Sequence, residues 1–91
     1  MTTATQADIA YQLKNLMREF DAAGLPSAGL AVQSGSKTYG RAFRLFYEDP
    51  TTGGLAEVRG MRSSYLGMTK SEAVDALKFL IDGMRMARAN R

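Results

Sequence analysis

Between Thr69 and Arg88 runs one uninterrupted stretch of helical periodicity, and no other feature limits the possible folds as much. Thr69-Lys70-Ser71-Glu72 fits a capping box, with the Thr69 hydroxyl and the Glu72 carboxylate exchanging bonds with each other's amides. Met68 before the cap and Ala73 after it stand where a hydrophobic staple would close. Val74, Leu77, Ile81 and Met84 follow at spacings of three and four, with Ala73, Leu80 and Ala87 widening the stripe. That stripe predicts a face laid onto a sheet. Asp75, Lys78 and Asp82 lie on the other side, and Arg85, Arg88 and Arg91 sit where cations complement the helix dipole. A second, narrower apolar strip of Ala76, Phe79, Gly83 and Met86 lies well away from the first. Either the first helix or a loop covers it, or it is a surface for a partner.

The rest of the chain must supply what that helix packs on. Ile9, Leu13, Leu16, Met17 and Phe20 predict an earlier amphipathic helix, capped by Thr3 or Thr5 with Asp8 in its first turn. Tyr11 lies opposite this stripe, facing solvent or serving as a contact residue. Gly24, Leu25 and Pro26 end the helix: the glycine suits a left-handed position, the leucine can pack back, and the proline forbids continuation. Residues 1–4 read as a frayed, disordered start and 89–91 as a basic tail.

Three strands are expected between the helices. Leu30-Ala31-Val32 is short and ends at a hairpin turn, Ser34-Gly35-Ser36. Residues 37–48 carry the longest strand signal, with Tyr39, Phe43, Leu45 and Tyr47 on one face and Ala42, Arg44, Phe46 and Glu48 on the other. Arg41 breaks the apolar face, and Gly40 beside it suggests a bulge. Residues 49–54 form a turn. Residues 55–62 give a third strand of poor alternation, and 63–68 a link holding Tyr65 and Leu66. The expected fold is α+β: one domain over 1–91 in the order α-β-β-β-α, a three-stranded antiparallel sheet with both helices packed on one face.

Composition narrows the function. The absence of histidine and cysteine removes the commonest general base, the commonest transition-metal ligand and any thiolate site. Ser34, Ser36 and Lys37 are ordinary turn residues, and the glycines are scattered at element ends rather than gathered into a phosphate loop. The expectation is a non-enzymatic chain without cofactor or metal. With no run long enough for a membrane span and no signal-peptide pattern, it is expected in the cytoplasm. All nine acids and nine of the twelve bases precede Gly83, so residues 1–82 are neutral and the +3 surplus is Arg85, Arg88 and Arg91. A neutral body with a basic tail argues less for nucleic acid than a basic body would.

From Leu13 to Leu80 the order and landmarks resemble a double-stranded-RNA-binding domain. Gly24-Leu25-Pro26 resembles the turn after that family's first helix, and Ser34-Gly35-Ser36-Lys37 falls at its first hairpin loop. Gly67, Thr69-Lys70 and Ala73 resemble the glycine, lysine and alanine pattern opening its last helix. In the family that helix start carries a lysine cluster that straddles phosphates; here Lys70 is present, with Ser71 and Val74 at the other lysine positions. The resemblance implies a nucleic-acid interface through Lys70, with the acid-free stretch Arg59 and Arg62 and the tail Arg85, Arg88 and Arg91 beside it. Against it stands a protein-interaction module, a homodimer or an accessory or inhibitory protein on a larger partner, using Phe79, Gly83 and Met86 on the helix or Phe46 on an open sheet face. The neutral body and the single lysine favour the second reading.

Overall fold

A computed structural model describes residues 4–34, 41–58, 61 and 63–89. Helix α1 spans Gln6–Ala22. Thr5 caps it in a full capping box: its hydroxyl accepts from the Asp8 amide at 3.3 Å and its own amide donates to the Asp8 carboxylate at 2.8 Å. The C-terminus closes as a Schellman motif, with the Leu25 amide donating to the Phe20 carbonyl at 2.9 Å and the Gly24 amide to that of Asp21 at 3.0 Å. Gly24 stands at φ 76°, the left-handed region that glycine enters without strain. Ala4, expected to fray with residues 1–3, instead packs onto the core; residues 1–3 lie outside the described residues.

Strands β1 (Leu30–Gln33), β2 (Phe43–Glu48), β3 (Leu55–Glu57) and β4 (Tyr65–Gly67) form one antiparallel sheet around β2. β1 lies along one edge of β2 in the register Leu30 to Tyr47 through Gln33 to Arg44. The expected strand 37–48 is shorter at its start among the described residues: Arg41 lies in a turn and pairing begins at Phe43. The hairpin residues 35–37 and the suggested bulge at Gly40 lie outside the described residues. The Asp49 carboxylate accepts from the Thr51 and Thr52 amides at 2.7 and 3.2 Å, building the turn that leads to β3.

The other edge of β2 corrects the expected three-stranded sheet to four strands. β3 pairs with the C-terminal half of β2, Glu57 opposite Phe46, while β4 pairs with the N-terminal end, Tyr65 opposite Arg44. The described residues of the excursion between β3 and β4, Val58, Met61, Ser63 and Ser64, therefore lie outside the strands, between the partners of Phe46 and Arg44 and opposite Leu45, whose amide donates to the Ser64 carbonyl at 2.9 Å. The excursion explains the poor alternation of 55–62. Its beginning is strand, Val58 turns in to join the core, and the second half of the pairing is resumed by residues expected to be a link.

Helix α2 (Lys70–Ala89) starts at the expected capping box, with the Glu72 amide donating to the Thr69 hydroxyl at 3.1 Å and the Thr69 amide to the Glu72 carboxylate at 3.2 Å. Gly67 admits the helix: a Cβ there would collide with the Glu72 Cβ and lie 3.1 Å from its backbone carbonyl carbon. Both helices pack on one face of the sheet, and Leu16, Phe20, Phe43, Leu45, Leu77 and Ile81 belong to a single apolar cluster with Ile9, Leu30, Leu66 and Val74. The helices lie side by side and run the same way. Asp8 and Gln12 share a cleft with Ser71, Asp75 and Lys78, whereas Glu19 meets Arg85 and Arg88 near the other end. Among the described residues no helix is long and apolar enough to cross a membrane.

Candidate functional site

The surface that stands out is built on α2, whose two flanks differ. The flank toward α1 is occupied. Glu19, buried on α1, accepts from Arg85 Nε at 3.1 Å through one carboxylate oxygen and from Arg88 through the other. Burial pushes the Glu19 carboxyl toward the neutral form, but the hydrogen bonds and charges of Arg85 and Arg88 outweigh that and hold it below its ordinary value of 4.5. Glu19 is spaced ten residues after the Ile9 end of the α1 stripe, between Leu16 and Phe20, so it is carried inward with them. The only signal for it in the sequence is that acid amid apolar positions.

This pairing changes the reading of the arginine tail. Arg85 and Arg88, candidate phosphate contacts, are both engaged with Glu19. Lys70 is exposed, but fifteen residues of helix separate it from Arg85, roughly 22 Å at 1.5 Å per residue. The structure therefore brings Arg85 and Arg88 together and leaves Lys70 far from them. Arg59, Arg62 and Arg91 lie outside the described residues.

The opposite flank is apolar and uncovered. Phe79 is 79% exposed and Met86 65%, and the space around a Cβ at Gly83 is open. Ala76 and Leu80, half-buried on the same side, join Met61, Ser63, Tyr65 and Leu66 around a groove of about 410 Å³ with Phe79 on its rim. Among the described residues no charged side chain lines it. A second groove of about 190 Å³ shares Met61 and Leu80 and continues past Met84 to Phe20 and Leu25, so the apolar trough runs along much of α2. Its floor comes from Met61 and Ser63, which lie between β3 and β4, and from Tyr65 and Leu66 of β4. The expected strip Phe79, Gly83 and Met86 is thus exposed as one surface, and Met61 and Tyr65 are members that periodicity could not supply. Residues outside the helix reach its flank only through tertiary packing.

Phe46, placed on an open sheet face as a partner contact, is corrected: it is 3% exposed. Alternation does put it on the face away from Leu45 and the helices. It says nothing of whether that face is covered. Next to Phe46 on that face, Arg44 donates from Nη1 to Ser64 Oγ at 3.0 Å, and its guanidinium lies 5.7 Å from the centre of the Tyr65 ring. The Arg44 contacts tie β2 to the end of the excursion. Among the described residues no group of three or more acids could hold a metal ion. No family model, curated protein or solved structure matches the chain.

Proposed function

We propose that this chain is a small non-enzymatic protein-interaction module that docks another polypeptide through Phe79, Met86 and the adjoining trough of α2. The observation that carries the reading is the exposure of Phe79 at the rim of a groove whose described lining is apolar but for Ser63. Burying a Phe or Met side chain is worth on the order of 1.5–3 kcal/mol, so two such residues left in water are an unused source of binding energy. Glu19 reinforces it by engaging the two described arginines of the tail, which lowers their availability to phosphates. The α-β-sheet-α order still allows the reading of a double-stranded-RNA-binding relative, for which Lys70 would be the phosphate contact at the start of α2. Site-specific photo-crosslinking separates the two. With a benzophenone side chain at position 79, adducts to protein are expected inside the cell, and none to nucleic acid. Adducts to nucleic acid alone, or none at all, would overturn the proposal. A companion titration of labelled duplex RNA, duplex DNA and single strands at two salt concentrations should show weak, salt-sensitive binding at most.

A further inference from the structure

We infer that the polypeptide docked on this trough is a second copy of the chain, each copy inserting its Phe79 into the other's groove. The inference rests on the protein-interaction reading and narrows it to one occupant. A two-fold interface requires that a single patch carry both the projecting and the receiving part, because residue i meets j wherever j meets i. This patch does: Phe79 projects at the rim, and the groove of Ala76, Leu80, Met61, Tyr65 and Leu66 opens immediately beside it. With the two α2 helices antiparallel, Phe79 of each copy enters the other's groove between Ala76 and Leu80. That orientation also opposes the helix dipoles. Among the described residues the groove lining holds no charge, so those residues present no like charges to the other copy at the point of insertion.

The exposed area matches a weak dimer. Tyr65 is 44% exposed beside Phe79 at 79% and Met86 at 65%. At roughly 150–250 Å² per large side chain these offer on the order of 350 Å² per chain. Doubled, and with the half-buried groove floor added, the total comes to about 1,000 Å², the lower edge for a specific interface. The dimer should therefore form and dissociate readily, with an affinity in the micromolar range or weaker.

Solution mass by light scattering from about 10 μM to about 1 mM, the range that covers such affinities, tests it. The native chain is expected to pass from monomer to dimer, and Phe79→Ala, which changes only an exposed helix position, to stay monomeric. In a mixture of labelled and unlabelled chains, NMR should show contacts from the Phe79 ring of one copy to the Ala76 and Leu80 methyls of another. A native monomer throughout that range overturns the homodimer, as does a dimer that persists in Phe79→Ala or lacks those contacts. Protein adducts from position 79 onto other chains would, in that event, leave the interaction module standing with a foreign partner. The absence of any protein adduct would remove both.

Discussion

The two flanks of α2 invert the usual assignment of charge and apolarity to water and protein. On the α1 side, the cations Arg85 and Arg88 are drawn onto a buried carboxylate. On the other side, Phe79 and Met86 remain in solvent. The first flank holds the two helices in parallel; the second packs Ala76 and Leu80 beside Met61 and Leu66 and leaves Phe79 and Met86 exposed. The difference teaches that exposure on this helix follows from what packs beside each flank, not from the polarity of the residues on it. Charge is consumed where α1 lies close, and apolar surface is left where Met61, Ser63 and β4 lie beside the helix.

The largest effects should come from beneath both flanks. Leu77, fully buried between them, makes the reference: Leu77→Ala should cost about 2–5 kcal/mol in urea unfolding, with both flanks lost together. Gly67→Ala comes next, because its methyl must displace the first turn of α2 at Glu72. Overpacking of this kind costs typically 1–3 kcal/mol, and circular dichroism should show the helix start disturbed. If Gly67→Ala is neutral, the close approach of β4 and α2 is looser than described.

On the charged flank the two halves of the triad should not be equivalent. Glu19→Gln leaves Arg85 and Arg88, whose side chains are 57% and 38% exposed, free to hydrate. Replacing both arginines by alanine strands a carboxylate whose side chain is 9% exposed, and should lower the thermal midpoint further than Glu19→Gln does. A larger drop for Glu19→Gln would contradict the pairing. Acid sharpens the same point. The folded carboxyl titrates below its ordinary value, so its stabilisation is complete above about pH 4.5 and is lost as pH falls through the folded pKa. The native chain's advantage over Glu19→Gln should therefore shrink on acidification, and an advantage that grows instead would remove the ion pair as its source.

The smallest effect on stability belongs to the apolar flank. At concentrations where the native chain is monomeric, Phe79→Glu should leave unfolding within about ±0.5 kcal/mol of it, since the side chain is 79% exposed in the single folded chain. The same change should abolish association. A substantial loss of stability would mean that Phe79 packs within its own chain, and the comparison between the flanks would fail.

Both helices, their caps and the core were legible in the sequence because those signals are local. A capping box needs four consecutive residues, a Schellman stop needs a glycine at one position, and stripes at three and four identify Leu16, Phe20, Leu77 and Ile81 as inward-facing. Antiparallel pairing of β1 with β2 follows from two alternating runs close in the chain. The second strip of α2 was legible for the same reason, as a face of a helix left over once the sheet-facing stripe is assigned.

What the sequence by itself determined is therefore periodic: which residues form α1, α2, β1 and β2, and which side of each turns inward. Only the tertiary structure decided which of the remaining surfaces meet. The break between β3 and β4 has no local mark, because Val58 and Leu66 can each continue a strand and only pairing with β2 shows where the chain leaves and returns. Glu19 looks like any helix acid until α2 brings two guanidiniums to it from across the fold. Phe46 is placed on a face by alternation, yet its burial depends on what folds over that face. Each of these turns on contacts between residues far apart in the chain, and a pattern repeating over two to four residues carries no record of them.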